Sequence, residues 1–529
     1  MTRHPNLRHP SGRCGDRSFA EKIVLGVTLR NGTLSSAFGV VLFGLVAIGC
    51  SSPAGSAGSP NVQNNDITSL DVTRQADTSS PDGSSSDGAM VDSTGRQTDS
   101  ENSAAKQPNI LVIILDDYGW DASPCHDVAK TVAKAPNIKK LCDTGVIFDN
   151  TWSAPTCSPT RAAILTGRHG FRNGIGAQLT SNKHPGLSLT EITLPMAIEK
   201  GLPGVYANAC IGKWHLGGTS NGLLNSPNKL GFSHYSGLIQ GAVQNYFSWQ
   251  RVVNGVKQQS KVWVPTQNVN DAIDWLKSGQ SQNKPFFLWV AFNAPHSPFH
   301  VPPADLHTAE GLSQQPPKNP IAHYQAMIEA TDTEIGRLLS QVGEDKLANT
   351  YIIFLGDNGT PNAVVQDPIT KGRAKGSLYQ GGIRVPMAIS GPMVTQPGRT
   401  DAMVHVLDLF ATILELVDVD PKVVVPDDRI VDSISLVPYL ADPMRSSLRT
   451  LLMSELFDSP TDSDGKAIRN ATHKLIRYDE GGTELFDLSQ DPWEGNDLWA
   501  KPGSRSAEAI AQHKSLSDAL DGLLATKSN

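Results

Sequence analysis

Asn109-Ile110-Leu111-Val112-Ile113-Ile114-Leu115-Asp116-Asp117 is the stretch that decides the fold. Six aliphatic residues follow Asn109 without interruption and stop at two carboxylates. A strand with one wet face alternates apolar and polar side chains, whereas a continuous run of this length is what a parallel strand buried on both faces requires. Two more runs repeat the pattern, Lys284–Phe292 and Thr350–Leu355. Between them lie helical patterns over Pro136–Thr144, with Gly145 after its end, near Val269–Ser278, and over Ala322–Val342. The alternation predicts an α/β fold, a doubly wound, mostly parallel central sheet with helices on both faces. Sites in such sheets gather beyond the carboxyl ends of the strands. The three runs are followed by Asp116-Asp117, by Asn293-Ala294-Pro295-His296 and by Gly356-Asp357-Asn358-Gly359, so polar chemistry falls where the architecture places it.

Past residue 445 the texture changes. Arg449–Leu456, Lys474–Tyr478 and Thr483–Leu488 read as short strands and Ser506–Ala525 as a terminal helix. The expected organisation is a catalytic α/β domain over 107–445 and a smaller α+β subdomain over 446–529.

The N-terminal hundred residues are of another kind. Residues 1–30 carry Arg3, Arg8, Arg13, Arg17, Lys22 and Arg30 against Asp16 and Glu21, and an apolar run from Ala37 to Gly49 follows. That run is too short to span a bilayer but has the size of a signal-peptide core. Ending in Gly49-Cys50-Ser51-Ser52, it resembles a bacterial lipoprotein signal over 1–50, which implies export to the cell envelope or periplasm and a lipid anchor at Cys50. Residues 51–106 hold no Phe, Tyr or Trp and are dominated by Ser, Asp and Gly. A stretch so poor in apolar area is expected to be a disordered linker. A net charge of -7 leaves no basic excess for a phosphate backbone and excludes a nucleic-acid partner.

Two carboxylates in a row point to opposite faces of a regular strand. Only where the strand ends and the chain turns can Asp116 and Asp117 aim at one point, and Asp357-Asn358 repeats the arrangement. Three carboxylates and an amide oxygen repel one another without a cation, and together they make an all-oxygen site suited to Ca²⁺ or Mg²⁺. In Ile211-Gly212-Lys213-Trp214-His215-Leu216-Gly217, a spacing of two puts Lys213 and His215 on one face of an extended segment and turns Trp214 into packing. Six cysteines in the whole chain are too few for a disulfide framework. Among Cys125, Cys142 and Cys210 at most one pair can form once Cys157 is set aside, and the sequence leaves the pair open.

Cys157 sits in Thr156-Cys157-Ser158-Pro159-Thr160-Arg161-Ala162-Ala163-Ile164-Leu165-Thr166-Gly167. This C-x-P-x-R-x-x-x-L-T-G string resembles the signature of the sulfatase family. Four further strings run in that family's order: the Asp116-Asp117 turn, Gly212-Lys213-Trp214-His215-x-Gly217, His296 after its strand, and Lys375-Gly376-x-Leu378-Tyr379-x-Gly381-Gly382-Ile383-Arg384-Val385-Pro386. The stretch from Glu484 to Pro492 resembles a hairpin of the family's C-terminal part. One departure is Thr160, where serine is commoner. The resemblance spans about residues 108–495.

It implies the hydrolysis of sulfate esters to an alcohol or phenol plus sulfate. Cys157 would be oxidised to formylglycine by a maturation enzyme and serve as the nucleophile. Asp116, Asp117, Asp357, Asn358 and residue 157 would hold one Ca²⁺, with Mg²⁺ the second choice. Lys213 and Lys375 would bind sulfate oxygens and Arg161 would hold the formylglycine. His215 would hydrogen-bond it, and His296 would contact the ester and protonate the leaving group. The substrate would be a sulfated small molecule or glycan, with specificity drawn from loops such as Gly217–Trp249 and His300–Asn319. Two alternatives stand beside this reading: a phosphate or phosphonate ester hydrolase of the same alkaline-phosphatase-like superfamily, and a sulfated-glycan binder that leaves Cys157 unmodified.

Overall fold

The computed structural model describes residues 107–526, apart from 181–183, 280, 282, 315–317 and 460–463. The expected signal and linker, 1–106, lie outside the described residues.

Ten strands form the main sheet: β1 (Asn109–Leu115), β2 (Val146–Trp152), β3 (Ala207–Lys213), β4 (His234–Leu238), β5 (Trp249–Val253), β6 (Val256–Ser260), β7 (Phe286–Ala291), β8 (Thr350–Gly356), β9 (Met387–Ser390) and β10 (Gly398–His405). Their order is β10-β2-β9-β8-β1-β7-β3-β4-β5-β6. The middle of the sheet, β8-β1-β7-β3-β4, is parallel, as is the β10–β2 pair. Strand β9 runs antiparallel between β2 and β8, and β5 and β6 close the far edge antiparallel.

Every residue of β1 is buried, and its parity divides the molecule. Ile110, Val112 and Ile114 enter one apolar core with α2 (Cys157–Thr166) and a later helix, Leu409–Leu416. Leu111, Ile113 and Leu115 enter the opposite core with α1 (Pro136–Asp143) and two long helices, α3 (Val264–Lys277) and α4 (Pro320–Val342). Burying each of these aliphatics contributes about 1.5–3 kcal/mol, more than the about 1–2 kcal/mol of backbone entropy lost per residue. The two-sided core is therefore what holds β1 at the centre of the sheet.

A second, antiparallel sheet follows, β11 (Leu452–Leu456), β12 (Gly465–Arg469), β13 (His473–Tyr478) and β14 (Thr483–Asp487), in that order. One face, Met453, Ile468, Leu475 and Leu485, packs on the terminal helix Ala507–Ala525. The other, Leu452, Leu456, Ala467, Ile476 and Phe486, packs with Trp152, Leu378 and Ile383 of the main body. Among the described residues no helix is long and apolar enough to cross a membrane.

The sequence expectations differ from these elements in a few places. Strand β7 is shorter than Lys284–Phe292, because Pro285 brings no N–H to the ladder. Helix α3 begins five residues before Val269, with Pro265 accepted in its first turn. Strand β11 starts at Leu452 rather than Arg449, whose guanidinium is held by Asp408 and the Asp432 carbonyl. The Glu484–Pro492 segment is no hairpin of its own: β14 pairs back onto β13, and turns follow it. The disulfide joins Cys125 and Cys142, with a Cα separation of 6.0 Å, and leaves Cys210 free and buried.

Candidate active site

The carboxyl ends of β1, β7 and β8 lie level, with Ile114 opposite Ala291 and Leu115 opposite Gly356. Asp116 continues the even face of β1, toward α2. Asp117 then adopts a left-handed φ of 63°, a conformation Asp tolerates better than most residues. That turn lets neighbouring carboxylates converge. The Asp117 N–H donates to Asp357 Oδ1 at 3.0 Å, which ties the β1 and β8 tips together.

Helix α2 opens on Cys157 and ends at Gly167, whose left-handed φ of 67° supplies the usual stop. All ten of its residues are buried, so the helix is gripped from every side. The Cys157 thiol donates to Asp116 Oδ1 at 3.2 Å. One donor atom each from Asp116, Asp117, Asp357 and Cys157 lie within 4.8 Å of one another. Sγ marks where a converted side chain would carry its oxygens. The Asn358 amide donates to Asp117 Oδ1 at 2.9 Å, while its own Oδ1 is buried with no partner. A buried acceptor without a protein donor, beside three carboxylates, is chemically suited to ligate a hard cation. The residues therefore fit a Ca²⁺ or Mg²⁺ ion.

Three cations face the three carboxylates. Lys213 Nζ lies 2.6 Å from Asp116 Oδ2, Lys375 Nζ 2.5 Å from Asp117 Oδ1, and Arg161 Nη2 2.8 Å from Asp357 Oδ2. Burial opposes ionisation of Asp116, but Lys213, with His296, Arg161 and Lys375, outweighs it and holds the carboxyl well below its usual range. Asp357 goes the other way: burial and the Asp116 charge raise it despite Arg161. Burial, with Asp116, also pushes the Cys157 thiol up, so the unconverted residue is a poor thiolate nucleophile. Arg161 binds Asp357 and donates to the Lys213 carbonyl at 2.8 Å, so its guanidinium buttresses the cluster.

The strand carrying Lys213 ends there, and His215 has a left-handed φ of 59°. The side-by-side placement expected from an extended segment thus comes from a turn. Trp214 does pack into the core, against Phe232. His215 Nε2 lies 3.1 Å from the Leu179 carbonyl, which makes it the donor and leaves Nδ1 buried with a free lone pair. Burial and the nearby Lys213 hold this imidazole far below its usual pKa, so it is neutral. Ser158 Oγ donates to the His215 carbonyl at 2.9 Å and accepts from Leu179 N at 3.1 Å, locking that loop to α2. His296 Nδ1 lies 2.6 Å from the Ser297 carbonyl, and Nε2 lies 3.7 Å from Asp117 Oδ2. His300 is held elsewhere, by Trp263 and the Pro298 carbonyl.

A cavity of about 350 Å³ opens over these groups, lined by Cys157, His215, His296 and Lys375 at its base. Its walls come from Gln178–Thr180 and Gln240–Ala242, with Gln244. The Gly217–Trp249 loop contributes as expected. The His300–Asn319 segment does not line this cavity among the described residues, and the segment after α2 takes its place. Gly241 is required by a close approach: a Cβ there would lie 2.3 Å from the His215 ring. Sequence reasoning also missed Tyr324, whose hydroxyl donates to the Asp117 carbonyl at 2.8 Å from the buried side of α4, and Asp121, which accepts from Thr360 Oγ1 at 2.7 Å.

The profile of the family described as Sulfatase matches residues 108–419, and one described as N-sulphoglucosamine sulphohydrolase, C-terminal, matches 374–520. The chain belongs to the sulfatase family and by that membership is a sulfuric ester hydrolase. It is 28% identical to the N-acetylgalactosamine-6-sulfatase of Canis lupus familiaris over 374 residues, 64% of this chain and 66% of that protein, so it spans about two thirds of that relative's length. It is 28% identical to the "Uncharacterized sulfatase YdeN" of Escherichia coli (strain K12), covering 72% of this chain and 74% of that one. The crystal structure of Ps i-CgsB in complex with k-i-k-neocarrahexaose shares the fold, with a TM-score of 0.68 at 23% identity over 79% of this chain and 93% of that one.

Proposed function

We propose that the chain cleaves sulfate esters through a formylglycine made from Cys157, beside one Ca²⁺ held by Asp116, Asp117, Asp357, Asn358 and residue 157. The observation that carries this reading is the meeting of the first residue of α2 with Asp116 at a point ringed by carboxylates, an orphaned amide oxygen and two lysines. The ion would neutralise charge on the sulfuryl oxygens. The hydrated aldehyde would supply one hydroxyl to attack sulfur and a second whose deprotonation expels sulfate and restores the aldehyde.

The chain's own side chains do the rest. Three fixed cations balance three carboxylates, so a divalent ion brings the site to about +2, which suits an anionic ester and a developing oxyanion. Lys213 and Lys375 turn their ammonium groups from the carboxylates toward sulfate oxygens. His296, its Nδ1–H donated to the Ser297 carbonyl, presents Nε2 to the leaving oxygen as general acid. His215 Nδ1, neutral and unpartnered, or Asp357 accepts the diol proton.

The substrate is taken to be a sulfated small molecule or glycan, a reading supported by an uncharged polar wall of Gln178, Thr180, Gln240 and Gln244. Export, with a lipid anchor at Cys50 and a maturation enzyme as partner, is part of the same reading, and the Cys125–Cys142 disulfide supports an oxidising compartment. Residues 107–445 are assigned to the catalytic domain and 446–529 to the subdomain.

The deciding experiment pairs mass spectrometry of the Cys157 peptide from natively exported protein with turnover of matched aryl sulfate and aryl phosphate. Conversion of Cys157 and preferential sulfate release are expected. A retained thiol with no sulfate release would overturn the proposal, and preference for the phosphate would favour the phosphoesterase alternative.

A further inference from the structure

Lys375 sits on a long segment between β8 and the short helix Gln380–Ile383, flanked by Gly372 and Gly376 with left-handed φ of 90° and 84°. Such a backbone has more freedom to lose than most, so something must hold it. Two bonds hold the backbone at Lys375 itself: Lys375 N donates to the Thr360 carbonyl at 3.1 Å and Gly376 N to the Pro155 carbonyl at 3.0 Å. The outer holds converge on one residue that follows β14. Glu494 Oε2 accepts from the Gln380 N–H at 2.6 Å, and its carbonyl accepts from Arg373 Nη1. Its neighbour Trp493 packs against Val365, Ile369 and Ala374 of the same segment.

Glu494 is itself fixed. It is 1% exposed, has a left-handed φ of 62°, and pairs through Oε1 with Lys474 Nζ at 2.5 Å, a β13 lysine that is fully buried. A non-glycine residue in that conformation is strained and persists only where its surroundings over-determine it. A buried ion pair is weak evidence of stabilisation, since apolar residues of like volume often do as well. What apolar residues cannot do is accept the Gln380 N–H.

We propose that Glu494 is a positioning residue for Lys375: from the turns after the second sheet, anchored to it through Lys474, it clamps the segment on both sides, at Arg373 and Gln380, and so sets where the ammonium meets the sulfate. The proposal rests on the reading of Lys375 as a sulfate-binding lysine.

Two double variants of the mature, calcium-loaded chain test it by steady-state hydrolysis of an aryl sulfate. Lys474→Met/Glu494→Gln removes both buried charges but keeps an amide oxygen for Gln380 N, and it should retain the parental kcat/KM. Lys474→Met/Glu494→Leu removes the acceptor too, and should lose between about tenfold and a hundredfold in kcat/KM, the scale of a misplaced binding group. In a Lys375→Ala background the two should be equal. Equal kcat/KM for the two doubles with Lys375 present, or the same loss without it, overturns the proposal. If the leucine double does not fold, Arg373→Met cuts the other clamp at a half-exposed position. Its loss should likewise depend on Lys375, and unchanged turnover overturns the proposal. No turnover by the parental chain overturns both this and the sulfatase mechanism, whereas parental turnover with equal variants overturns this alone.

Discussion

Cys157 Sγ and Asp116 Oδ1 lie 3.2 Å apart, so the first residue of a fully buried helix and the first residue beyond the central strand share one point. The contact joins chemistry to architecture, because α2 cannot shift without moving the nucleophile off the carboxylate cluster. Cys157→Ala should therefore abolish sulfate release while costing only about 1 kcal/mol of stability, the usual scale for one small side chain. The check is turnover and thermal unfolding of the same preparation. Sulfate release at the parental rate would end the formylglycine mechanism.

Removal of divalent ions should destabilise as well as inactivate. Without the ion the three carboxylates keep their lysine and arginine partners, so the scaffold stays folded, but Asn358 Oδ1 has none. A ligand at a hundred times its Kd stabilises by about 2.7 kcal/mol. Chelation should lower the melting temperature and abolish turnover, and Ca²⁺ should restore both. A melting temperature indifferent to chelation and Ca²⁺ would count against the site.

Much of this was legible because it is local. The β1 run announced a strand buried on both faces, and carboxylates at its end could converge only by a turn, which Asp117 supplies. Lys375, the first residue of its string, lines the cavity, while the Arg373 guanidinium two residues earlier stacks on Tyr379. What the sequence hid depends on partners distant in the chain. Strand β6 is exposed at four of its five residues and has no apolar alternation, so its pairing with β5 is a backbone matter. The choice of Cys142 for Cys125 needs the fold to bring two Cα atoms within 6.0 Å. The Glu494–Gln380 bond spans 114 residues and carries no motif.

Gly241→Ala should damage the site by displacing His215 from the cavity lining. A methyl group there would lie 2.3 Å from the His215 ring, and the ring is held by its bond to Leu179 and by burial. The histidine must move, and misplacement on the ångström scale costs up to about a hundredfold. The expected result is a folded protein with kcat reduced at least about tenfold. Parental kcat would show that His215 tolerates displacement and has no part in the diol chemistry.

Glu455 should give the stability a pH dependence with an unusual sign. This β11 carboxyl is 3% exposed, accepts from Phe171 N at 2.9 Å through Oε1, and leaves Oε2 buried without a partner. Burial pushes its pKa from 4.5 up to about 7, more than the nearby N–H donors lower it. A raised carboxyl means the folded chain binds the proton more tightly than the unfolded one. The associated stability is then fully present below the unfolded value and declines as pH rises from 4.5 to about 7. The full span is worth on the order of 3 kcal/mol. Glu455→Gln keeps the Oε1 acceptor and cannot ionise, so it should flatten this part of the profile and be more stable than the parent above pH ~7. Urea unfolding of both proteins at several pH values between 4.5 and 8 is the measurement. Parallel profiles for the two proteins would show that Glu455 is ionised in the fold at no net cost, and that its orphaned oxygen finds a donor.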